Sequence, residues 1–481
     1  MLSEILITNT LSGKKEKLET LKTGEVSLYG CGPTVYNYTH VGNARTAVSI
    51  DTISRILKLA GYSLKTVRNI TDIDDKIIKA ANESGRKWNE VTEEFTGYYE
   101  EELTLLGNLP VTAVTKVSDT MDEILKMIKG LIDKGMAYVA ETPYGADVYF
   151  RVAKFGNYGC LSHRKTEDML SGARIEVGEA KESPLDFALW KAAKPGEPSW
   201  KAAWGEGRPG WHIECSAMIY KVFGPQIDIH MGGLDLVFPH HENEIAQSEG
   251  FSDAKLATYW VHGGMLNFGK EKMSKSLGNI FTTHKFLDLY GPETLRLLFV
   301  QNHYRSPVEF TEESIHRTEA LLERLYLCKQ HMISCQGQKV DEAALPVELK
   351  DIAAQMKTAL FDDFNTAKSL GIVLKAVRVC FRENREDYWR ALSCALPIIQ
   401  ESMALLGGDA KEALFGIRQR RIKRLGVSEE KAKSIEDRLQ AREDARKAKN
   451  FAESDRLRIA LESEGVIVMD GPDGAAWTMK Q

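Results

Sequence analysis

CGPTVYNYTHVGNAR, residues 31–45, decides the fold, because this stretch joins a short apolar strand to a helix. The strand is residues 26–29, and residues 30–33 have the composition of a turn. The apolar residues that follow recur at helical spacing: Ala47, Ile50, Ile53 and Leu57. A glycine-containing loop before a helix presents free backbone N–H groups to an anion. The stretch therefore indicates an α/β unit with a nucleotide-binding loop, although many strand–loop–helix units bind no ligand.

The composition is that of a soluble globular protein built from about three domains. The chain has 481 residues, of which 43% are hydrophobic and 27% are charged. No window is apolar enough for a membrane span, and the N-terminus lacks the layout of a secretory signal. The seven cysteines are scattered, which disfavours a disulfide framework and predicts a reducing, cytoplasmic location. The net charge of −5 argues against a uniformly basic nucleic-acid binder but allows a local basic patch.

The order of elements predicts a parallel sheet that is interrupted by an insertion. A second strand at residues 63–67 and a later one at residues 227–230 continue the α/β pattern, while a hairpin lies between them. Helical periodicity then dominates up to the break at Gly407 and Gly408. We predict five regions: a first half of the sheet domain, an insertion, a second half, a helical bundle and a small C-terminal domain, at residues 1–115, 116–205, 206–310, 311–406 and 407–481.

Four residues have the side chains of a tetrahedral zinc site. His240 and Glu244 are spaced i and i+4 at a predicted helix start, so both point to one face. Cys31 ends a strand, and Cys215 lies in the stretch GWHIECS. Two thiolates, one imidazole and one carboxylate suit zinc. Taken alone, the four residues fit better with buried packing cysteines and a helix cap, because no C-x-x-C motif is present.

A lysine-rich loop and two strand ends carry further polar groups. Residues 270–279 hold three lysines, two serines and a glycine, which suit a polyphosphate but also fit a solvated basic turn. Thr71 and Asp72 follow one strand, and His230 and Asp235 follow another. These carboxylates are candidates to hold an α-ammonium group, and they fit equally well as helix N-caps.

The C-terminal region is the basic part of an acidic chain. Residues 418–458 hold 14 Lys or Arg against 8 Asp or Glu, a local net charge of +6. Trp477 adds an aromatic ring, and basic side chains with a stacking surface suit single-stranded RNA. A charge run of this kind is also typical of a solvated helix face.

Taken together, these motifs resemble those of the cysteinyl-tRNA synthetases, a class I aminoacyl-tRNA synthetase family. HVGN, residues 40–43, resembles the first class motif, and KMSKS, residues 272–276, matches the second letter for letter. CGPTVY, GWHIEC, FPHHENE and the lysine-rich loop follow one another in the order of this family. The resemblance is dense over residues 24–310 and looser to the C-terminus.

The resemblance implies a Rossmann-like catalytic domain that activates cysteine with ATP and transfers it to tRNA(Cys). His40, Gly42 and Asn43 would bind ATP, and Lys272 and Lys275 would neutralise the leaving pyrophosphate with Mg²⁺ on the phosphates. A second histidine usually ends the class motif, and Asn43 stands there instead, so any step that needs an imidazolium at this position is in doubt.

The resemblance also implies one zinc ion per chain, which would bind the substrate thiol. Its ligands would be the four side chains described above: Cys31, Cys215, His240 and Glu244. A pocket that separates small side chains only by fit gains about 1–3 kcal/mol, so a direct bond from the thiolate to zinc would supply the selectivity. The residues around the cysteine substrate would be Thr71, Trp211, His230 and Asp235.

The C-terminal domain would read the anticodon in a chain that we expect to be monomeric. Its predicted contacts are Arg446, Asp455, Asp470 and Trp477. Two alternatives remain open at this point. A cysteine ligase that passes the adenylate to an amino sugar would share residues 24–310 but lack the basic C-terminal domain. A non-catalytic zinc-binding or nucleotide-binding regulatory protein would have lost ligands or loop lysines.

Overall fold

A computed structural model describes residues 2–165, 180–268, 281–335, 340, 344–471 and 474–479. The chain divides into two compact units. The first comprises residues 1–104, 108–265 and 361–364, and the second comprises residues 105–107, 266–360 and 365–481. No described helix has both the length and the apolar character needed to cross a membrane. All seven cysteines lie among the described residues and are free thiols.

The centre of the first unit is a five-stranded parallel sheet. Its strands are β3 (Glu25–Gly30), β4 (Ser63–Ile70), β5 (Ala113–Lys116), β11 (Ile227–Gly233) and β12 (Ala257–Gly263). Their spatial order is β12-β11-β3-β4-β5, with all four pairings parallel. The chain leaves β3 toward β4 on one side and β11 toward β12 on the other. The carboxyl ends of β3 and β11 therefore form the switch point of the sheet, where open α/β sheets bind ligands.

Helices connect these strands and cover the sheet. They are α1 (Val41–Leu59), α2 (Asp75–Ser84), α3 (Trp88–Leu105), α4 (Met121–Asp133), α5 (Trp211–Phe223) and α6 (Glu242–Ser252). His40 caps α1, and Gly61 follows its end with φ of 97°, a conformation that glycine adopts readily at a helix end. Gly32 is required where β3 ends, because a Cβ there would stand 1.8 Å from the carbonyl oxygen of Asn69.

The insertion forms a separate antiparallel sheet in the order β6-β7-β8-β10-β9. Its strands are β6 (Ala137–Thr142), β7 (Gly145–Phe150), β8 (Phe187–Ala192), β9 (Trp200–Ala202) and β10 (Gly205–Pro209). The hairpin of β6 and β7 agrees with the sequence prediction. The core beneath it joins the helices α4 and α5 to the insertion, with Phe150 and Trp190 fully buried.

The N-terminal hairpin of the first unit is completed by residues from far along the chain. β1 (Leu6–Asn9) pairs with β2 (Lys14–Lys17). The backbone N–H and the hydroxyl of Thr8 donate to the Asp363 carboxylate at 2.8 and 2.6 Å. Asp363 and Phe364 take left-handed conformations with φ of 62° and 55°. Residues 361–364 therefore belong to the first unit, although their neighbours in sequence belong to the second.

The second unit is mainly helical and ends in a small hairpin. Its helices are α7 (Thr283–Tyr290), α8 (Pro292–Val300), α9 (Glu312–Ser334), α10 (Ile352–Phe361), α11 (Thr366–Glu383), α12 (Glu386–Leu392), α13 (Ala395–Met403), α14 (Ala410–Leu425), α15 (Glu429–Lys447) and α16 (Phe451–Ser463). The strand pairs are β13 (Leu266–Asn267) with β14 (Val308–Glu309) and β15 (Val466–Gly471) with β16 (Gly474–Met479). The predicted fold class, a parallel α/β sheet with an insertion and then a helical region, is confirmed.

Candidate functional site

Four buried donors converge where the switch point of the sheet meets two helix starts. Cys31 directly follows β3, Cys215 lies in the second turn of α5, and Glu244 lies in the first turn of α6. His240 precedes α6 in a wide helical turn, residues 237–241. One ligand atom from each lies within 4.8 Å of the other three. Tetrahedral zinc ligands at 2.0–2.3 Å stand roughly 3.3–3.8 Å apart, so a small contraction would close the shell.

The sequence prediction did not include a second group of donors that overlaps the first. Cys31, His230, His241 and Glu244 also offer ligand atoms within 4.8 Å of one another, and all four are buried. His241 Nε2 lies 3.3 Å from Cys31 Sγ and 4.0 Å from Glu244 Oε1. His230 Nε2 lies 2.9 Å from Glu244 Oε2. The available signal was the sequence PHHENE, in which His241 and Glu244 are spaced i and i+3.

The carboxylate at the centre of both groups is held ionised. Burial acts to raise the pKa of Glu244, but the imidazoles of His230 and His240 outweigh it and lower the pKa to about 2. Glu244 Oε1 forms no hydrogen bond of normal geometry within the described residues, although His240 Nε2 is 3.0 Å away. A buried anionic oxygen without a hydrogen-bond donor is what a bound cation would satisfy.

The two thiols respond to each other and to the same charges. A hydrogen bond from Cys31 lowers the pKa of Cys215 to about 6, although burial acts in the opposite direction. The same pairing, together with burial, raises the pKa of Cys31 well above its usual value. One thiolate beside one carboxylate is already favoured in this pocket. Burial acts to lower the pKa of His240, but Glu244 and Cys215 outweigh it and raise the pKa to about 10, so a bound cation would replace the proton on this imidazole.

Aromatic and imidazole contacts orient the histidines. His212 Nδ1 lies 3.0 Å from His240 Nδ1, and the Trp211 ring stacks on His240 with centroids 4.2 Å apart. On the other side, His241 Nδ1 lies 2.8 Å from His262 Nε2. The two imidazole–imidazole contacts engage Nδ1 of His240 and Nδ1 of His241. The Nε2 atoms of both histidines are thereby left toward the centre, as in metal sites whose ligands are held by outer hydrogen bonds.

The loop that precedes α1 is organised by its own capping interactions. The Gly42 N–H donates to His40 Nδ1 at 3.1 Å, and the His40 N–H donates to the Asn43 amide oxygen at 3.2 Å. Asn43 therefore completes the capping box of α1 through its amide oxygen, and its NH₂ group is not used in this box. The removal of water by packed neighbours lowers the pKa of His40, Lys76 adds to the effect, and Asp235 opposes it. Lys272 and Lys275 lie outside the described residues.

The four predicted substrate residues occupy different environments. Thr71 is buried after β4 and accepts from the Asn69 amide at 3.2 Å. His230 is fully buried and stacks on Trp260 with centroids 4.4 Å apart, which places it at the metal-ligand cluster. Trp211 is 40% exposed, and Asp235 is exposed in the turn after β11. Only Trp211 and Asp235 thus present accessible side chains to a ligand.

The four residues predicted to contact the anticodon are spread over α15, α16 and the final hairpin. Arg446 is exposed in the last turn of α15, and Asp455 is exposed on α16. Asp470 pairs with Ala475 through the backbone of β15 and β16. Trp477 is only 4% exposed, in the core of this domain, so its ring faces are closed to a stacking base.

An exposed aromatic on α16 was missed by the sequence analysis. Phe451 begins the helix, is 63% exposed and lies one turn before Asp455 on the same face. Its single signal in the sequence was an aromatic at a helix start within a charged segment. Phe451 offers the open ring that Trp477 does not.

Much of the basic run at residues 418–424 is occupied by ion pairs. Arg421 and Arg424 lie 3.1 and 2.9 Å from the same oxygen of the buried Glu319. Arg418 lies 3.0 Å from Glu436. These contacts hold α14 against α9 and α15 within the second unit. The charge count of this segment therefore overstates the number of cations that face solvent.

Comparisons with known proteins cover both ends of the chain. A family model described as the tRNA synthetases class I (C) catalytic domain matches residues 17–320. A second, described as the cysteinyl-tRNA ligase anticodon binding domain, matches residues 431–477. A cysteine--tRNA ligase of Thermodesulfovibrio yellowstonii is 41% identical over 98% of this chain and 99% of its own length. That of Brevibacillus brevis is 42% identical over 99% of this chain and 100% of its own.

Solved structures show the same fold at low sequence identity. Mycobacterium tuberculosis methionyl-tRNA synthetase with methionyl-adenylate matches with a TM-score of 0.60 at 14% identity, covering 85% of this chain and 95% of its own. A ternary complex of Agrobacterium radiobacter LeuRS with tRNA and LeuAMS also gives a TM-score of 0.60, at 10% identity, covering 83% and 86%.

Proposed function

The chain belongs to the cysteinyl-tRNA synthetases, a class I aminoacyl-tRNA synthetase family, and we propose that it selects cysteine by its thiolate at a zinc ion. It is a cysteine--tRNA ligase, with ATP, cysteine and tRNA as its substrates. The observation that carries the zinc proposal is the convergence of Cys31, Cys215, His240 and Glu244 within 4.8 Å in a buried pocket.

The donor set fits zinc better than it fits harder cations. Two sulfur atoms and an imidazole are soft or borderline ligands, whereas Mg²⁺ and Ca²⁺ prefer oxygen. The ionised Glu244, with one oxygen lacking a hydrogen bond, supplies the charge that the ion would balance. Bound there, zinc would supply a thiophilic contact that the hydroxyl of serine and the methyl of alanine cannot match at neutral pH.

In the first step, the cysteine carboxylate attacks the α-phosphorus of ATP, and pyrophosphate leaves. His40, Gly42 and Asn43 would hold ATP at the start of α1, where backbone N–H groups and the helix dipole favour anions. Lys272 and Lys275 would neutralise the charge that grows on the leaving pyrophosphate, with Mg²⁺ on the phosphates. Asn43 can donate a hydrogen bond but carries no charge, so positive charge would come from the two lysines.

In the second step, the terminal ribose hydroxyl of tRNA attacks the adenylate carbonyl and AMP leaves. The chain has to position two substrates for this transfer, which is mostly a matter of orientation. Trp211 would close the cysteine pocket beside His240, and Asp235 would meet the substrate ammonium. Thr71 and His230, which are buried, would support this pocket from within.

The anticodon would be read by α15, α16 and the C-terminal hairpin. We assign base-edge contacts to Arg446, Asp455 and Asp470, because carboxylates accept from base amino groups and guanidinium donates to guanine. Phe451 takes over the stacking role first expected of Trp477, since its ring is exposed. Trp477 would act through the core that holds the hairpin on α15 and α16.

The oligomeric state, the location and the division of the chain complete the proposal. We expect a monomer that acts in the cytoplasm, which sedimentation and cell fractionation test. The five regions at residues 1–115, 116–205, 206–310, 311–406 and 407–481 are proposed functional parts. Limited proteolysis with mass spectrometry of the fragments would locate their boundaries.

The deciding experiment measures metal content and cysteine activation together. We expect one zinc per chain and cysteine-dependent exchange of pyrophosphate into ATP, followed by charging of tRNA(Cys). Cys215→Ser should weaken cysteine binding far more than ATP binding, since only cysteine uses the metal. Cys328→Ser is the matched control, because Cys328 is equally buried but lies in the second unit. Equal cysteine affinity in both variants would remove Cys215 from the site.

Exchange followed by charging of an amino sugar instead of tRNA would support the amino-sugar ligase. The match of the anticodon binding domain model to residues 431–477 disfavours that alternative. Zinc binding without any exchange would support the non-catalytic regulatory protein.

A further inference from the structure

The metal-ligand cluster contains more donors than one tetrahedral ion can use. Six buried side chains form two groups of four that share Cys31 and Glu244. We call Cys31, Cys215, His240 and Glu244 the thiolate set, and Cys31, His230, His241 and Glu244 the imidazole set. In both groups the ligand atoms lie within 4.8 Å of one another. The imidazole set therefore resembles a metal site as closely as the thiolate set does.

We propose that the imidazole set is an alternative binding site, or second seat, for the same metal ion. The ion moves there when the thiolate set has lost a ligand. This inference rests on the proposed function, in which the thiolate set is the working zinc site. We take the two seats as alternatives for one ion, because both draw on the same negative charges, those of Cys31 and the Glu244 carboxylate. One ion per chain is therefore expected in either arrangement.

The orientation of His241 supports this second seat. Its Nδ1 lies 2.8 Å from His262 Nε2, and His262 Nδ1 lies 2.8 Å from Thr10 Oγ1. This series of hydrogen bonds lets Nδ1 of His241 carry the proton and leaves the lone pair on Nε2. That atom is 3.3 Å from Cys31 Sγ, so the lone pair faces the shared thiol.

His230 is placed just as firmly on the other side of Glu244. Its ring stacks on Trp260 at an interplanar angle of 17°, and its Nε2 lies 2.9 Å from Glu244 Oε2. Its Nδ1 is buried and has no hydrogen-bond partner within the described residues. Within the described residues, Nε2 is hydrogen-bonded to Glu244, a ligand of both sets, and to no other group.

Ligand chemistry explains why zinc would occupy the thiolate set first. The thiolate set offers two sulfur atoms, whereas the imidazole set offers one sulfur atom and two nitrogen atoms. Zinc bound by two thiolates is the softer and more strongly charge-compensated arrangement. Loss of Cys215 removes this advantage, and the two sets then differ by one imidazole in favour of the imidazole set.

The experiment tests which histidine holds the ion in two backgrounds. Zinc affinity is measured by competition with a chelator, and thiolate ligation is measured by the charge-transfer absorption of the cobalt-substituted full chain. In the otherwise unchanged chain, His240→Gln should weaken zinc binding at least tenfold, and His241→Gln should change it less than twofold. In the Cys215→Ser background this order should reverse, with one ion retained and about half of the thiolate absorption.

Each departure from that pattern has a defined meaning. Loss of the ion from the Cys215→Ser chain would overturn the second seat. So would zinc affinity that still depends on His240 in that background, or two ions per unchanged chain. Dependence on His241 already in the unchanged chain would overturn the working assignment of the thiolate set, and with it the proposed site, but would keep the imidazole set. His230→Gln repeats the test, and one bound zinc in the His241→Gln chain confirms that this variant folds.

Discussion

The metal-ligand cluster and the C-terminal RNA-binding domain differ in how firmly residue type determines position. At the cluster, residues as far apart as Cys31 and Glu244 bring donor atoms within 4.8 Å, because the switch point of the sheet and two helix starts meet there. In the C-terminal domain, Trp477 is buried, and Arg421 and Arg424 pair with Glu319. A set of metal ligands can bind an ion only in one arrangement, so residue type determines where its members lie. A charged or aromatic residue can instead pack in a core, form an ion pair or bind RNA.

The largest effect should come from the one carboxylate that both ligand sets share. Glu244→Gln removes the charge that balances the cation, so we expect at least a hundredfold loss of zinc affinity and no detectable cysteine activation. Metal analysis and pyrophosphate exchange measure the two effects. Glu249→Gln, later in the same helix, is the control and should bind zinc normally. If Glu244→Gln retained zinc, residue type would not determine position at the metal-ligand cluster, and the contrast with the C-terminal domain would fail.

Removal of the C-terminal domain should separate the two chemical steps. Deletion of residues 427–481 keeps α14 and its ion pairs with Glu319, since α14 ends at Leu425. We expect adenylate formation within about twofold of the full chain and tRNA charging reduced at least a hundredfold, because the anticodon contacts are lost. Equal tRNA charging by the shortened chain would show that this domain is not the anticodon reader and would favour the amino-sugar alternative.

A pair of arginine variants distinguishes structural charge from RNA-binding charge. Arg421→Met leaves Glu319 with a poorer partner in a buried site and should cost about 3 kcal/mol of unfolding free energy. Arg446→Ala, at an exposed position, should cost far less stability than this but lower tRNA affinity about tenfold and reduce its salt dependence. Chemical denaturation and filter binding at two salt concentrations measure these quantities. A stable Arg421→Met chain with weakened RNA binding would reverse our assignment.

The exposed ring on α16 should have a smaller effect. Phe451→Ala removes a stacking surface of a kind worth about 1–3 kcal/mol, and at the low end of this range we expect the KM for tRNA to rise five- to tenfold with kcat nearly unchanged. Phe415→Ala is the matched control, because Phe415 is 64% exposed on α14. Equal effects of the two substitutions would show that general surface loss, and not base stacking, is measured.

The smallest expected effect concerns pH and a single ion-pair network. Burial acts to raise the pKa of Glu319, but Arg421 and Arg424 outweigh it and lower the pKa. A carboxyl whose pKa is lower in the folded state stabilises the fold above its unfolded pKa, roughly 4.3, and this contribution is lost as the pH falls. Glu319→Gln should therefore show a weaker loss of unfolding free energy below about pH 4 than the unchanged chain, as denaturation at several pH values would record.

The sheet and the first ligand set could be predicted because short-range patterns determine them. The sequence around residues 31–45 predicts a strand, a turn and a helix, and FPHHENE places two ligands on one helix face. The imidazole set could not be predicted this way. His230 and His241 approach Cys31 only because β11 lies beside β3 in the sheet, which is a long-range pairing.

Burial and ion pairing explain where the sequence prediction was weakest. Trp477 and Phe451 are both aromatic residues in a charged segment, and no local pattern indicates which one packs beneath the hairpin. Similarly, Arg421 is indistinguishable from its basic neighbours until Glu319, 102 residues earlier, is brought against it. Such assignments depend on tertiary contacts that the periodicity of a single helix does not contain.

The hydrogen bonds between Thr8 and Asp363 limit how early the first unit can finish folding during synthesis on the ribosome. The two residues are 355 positions apart, so 355 further residues must be synthesised after Thr8 before Asp363 can accept these hydrogen bonds. At roughly 5–20 residues per second, that delay is about 20–70 s. During this interval the backbone N–H and the hydroxyl of Thr8 lack the Asp363 carboxylate to which they donate in the folded chain. The two hydrogen bonds therefore form only after residue 363 has been synthesised, late in the assembly of the first unit.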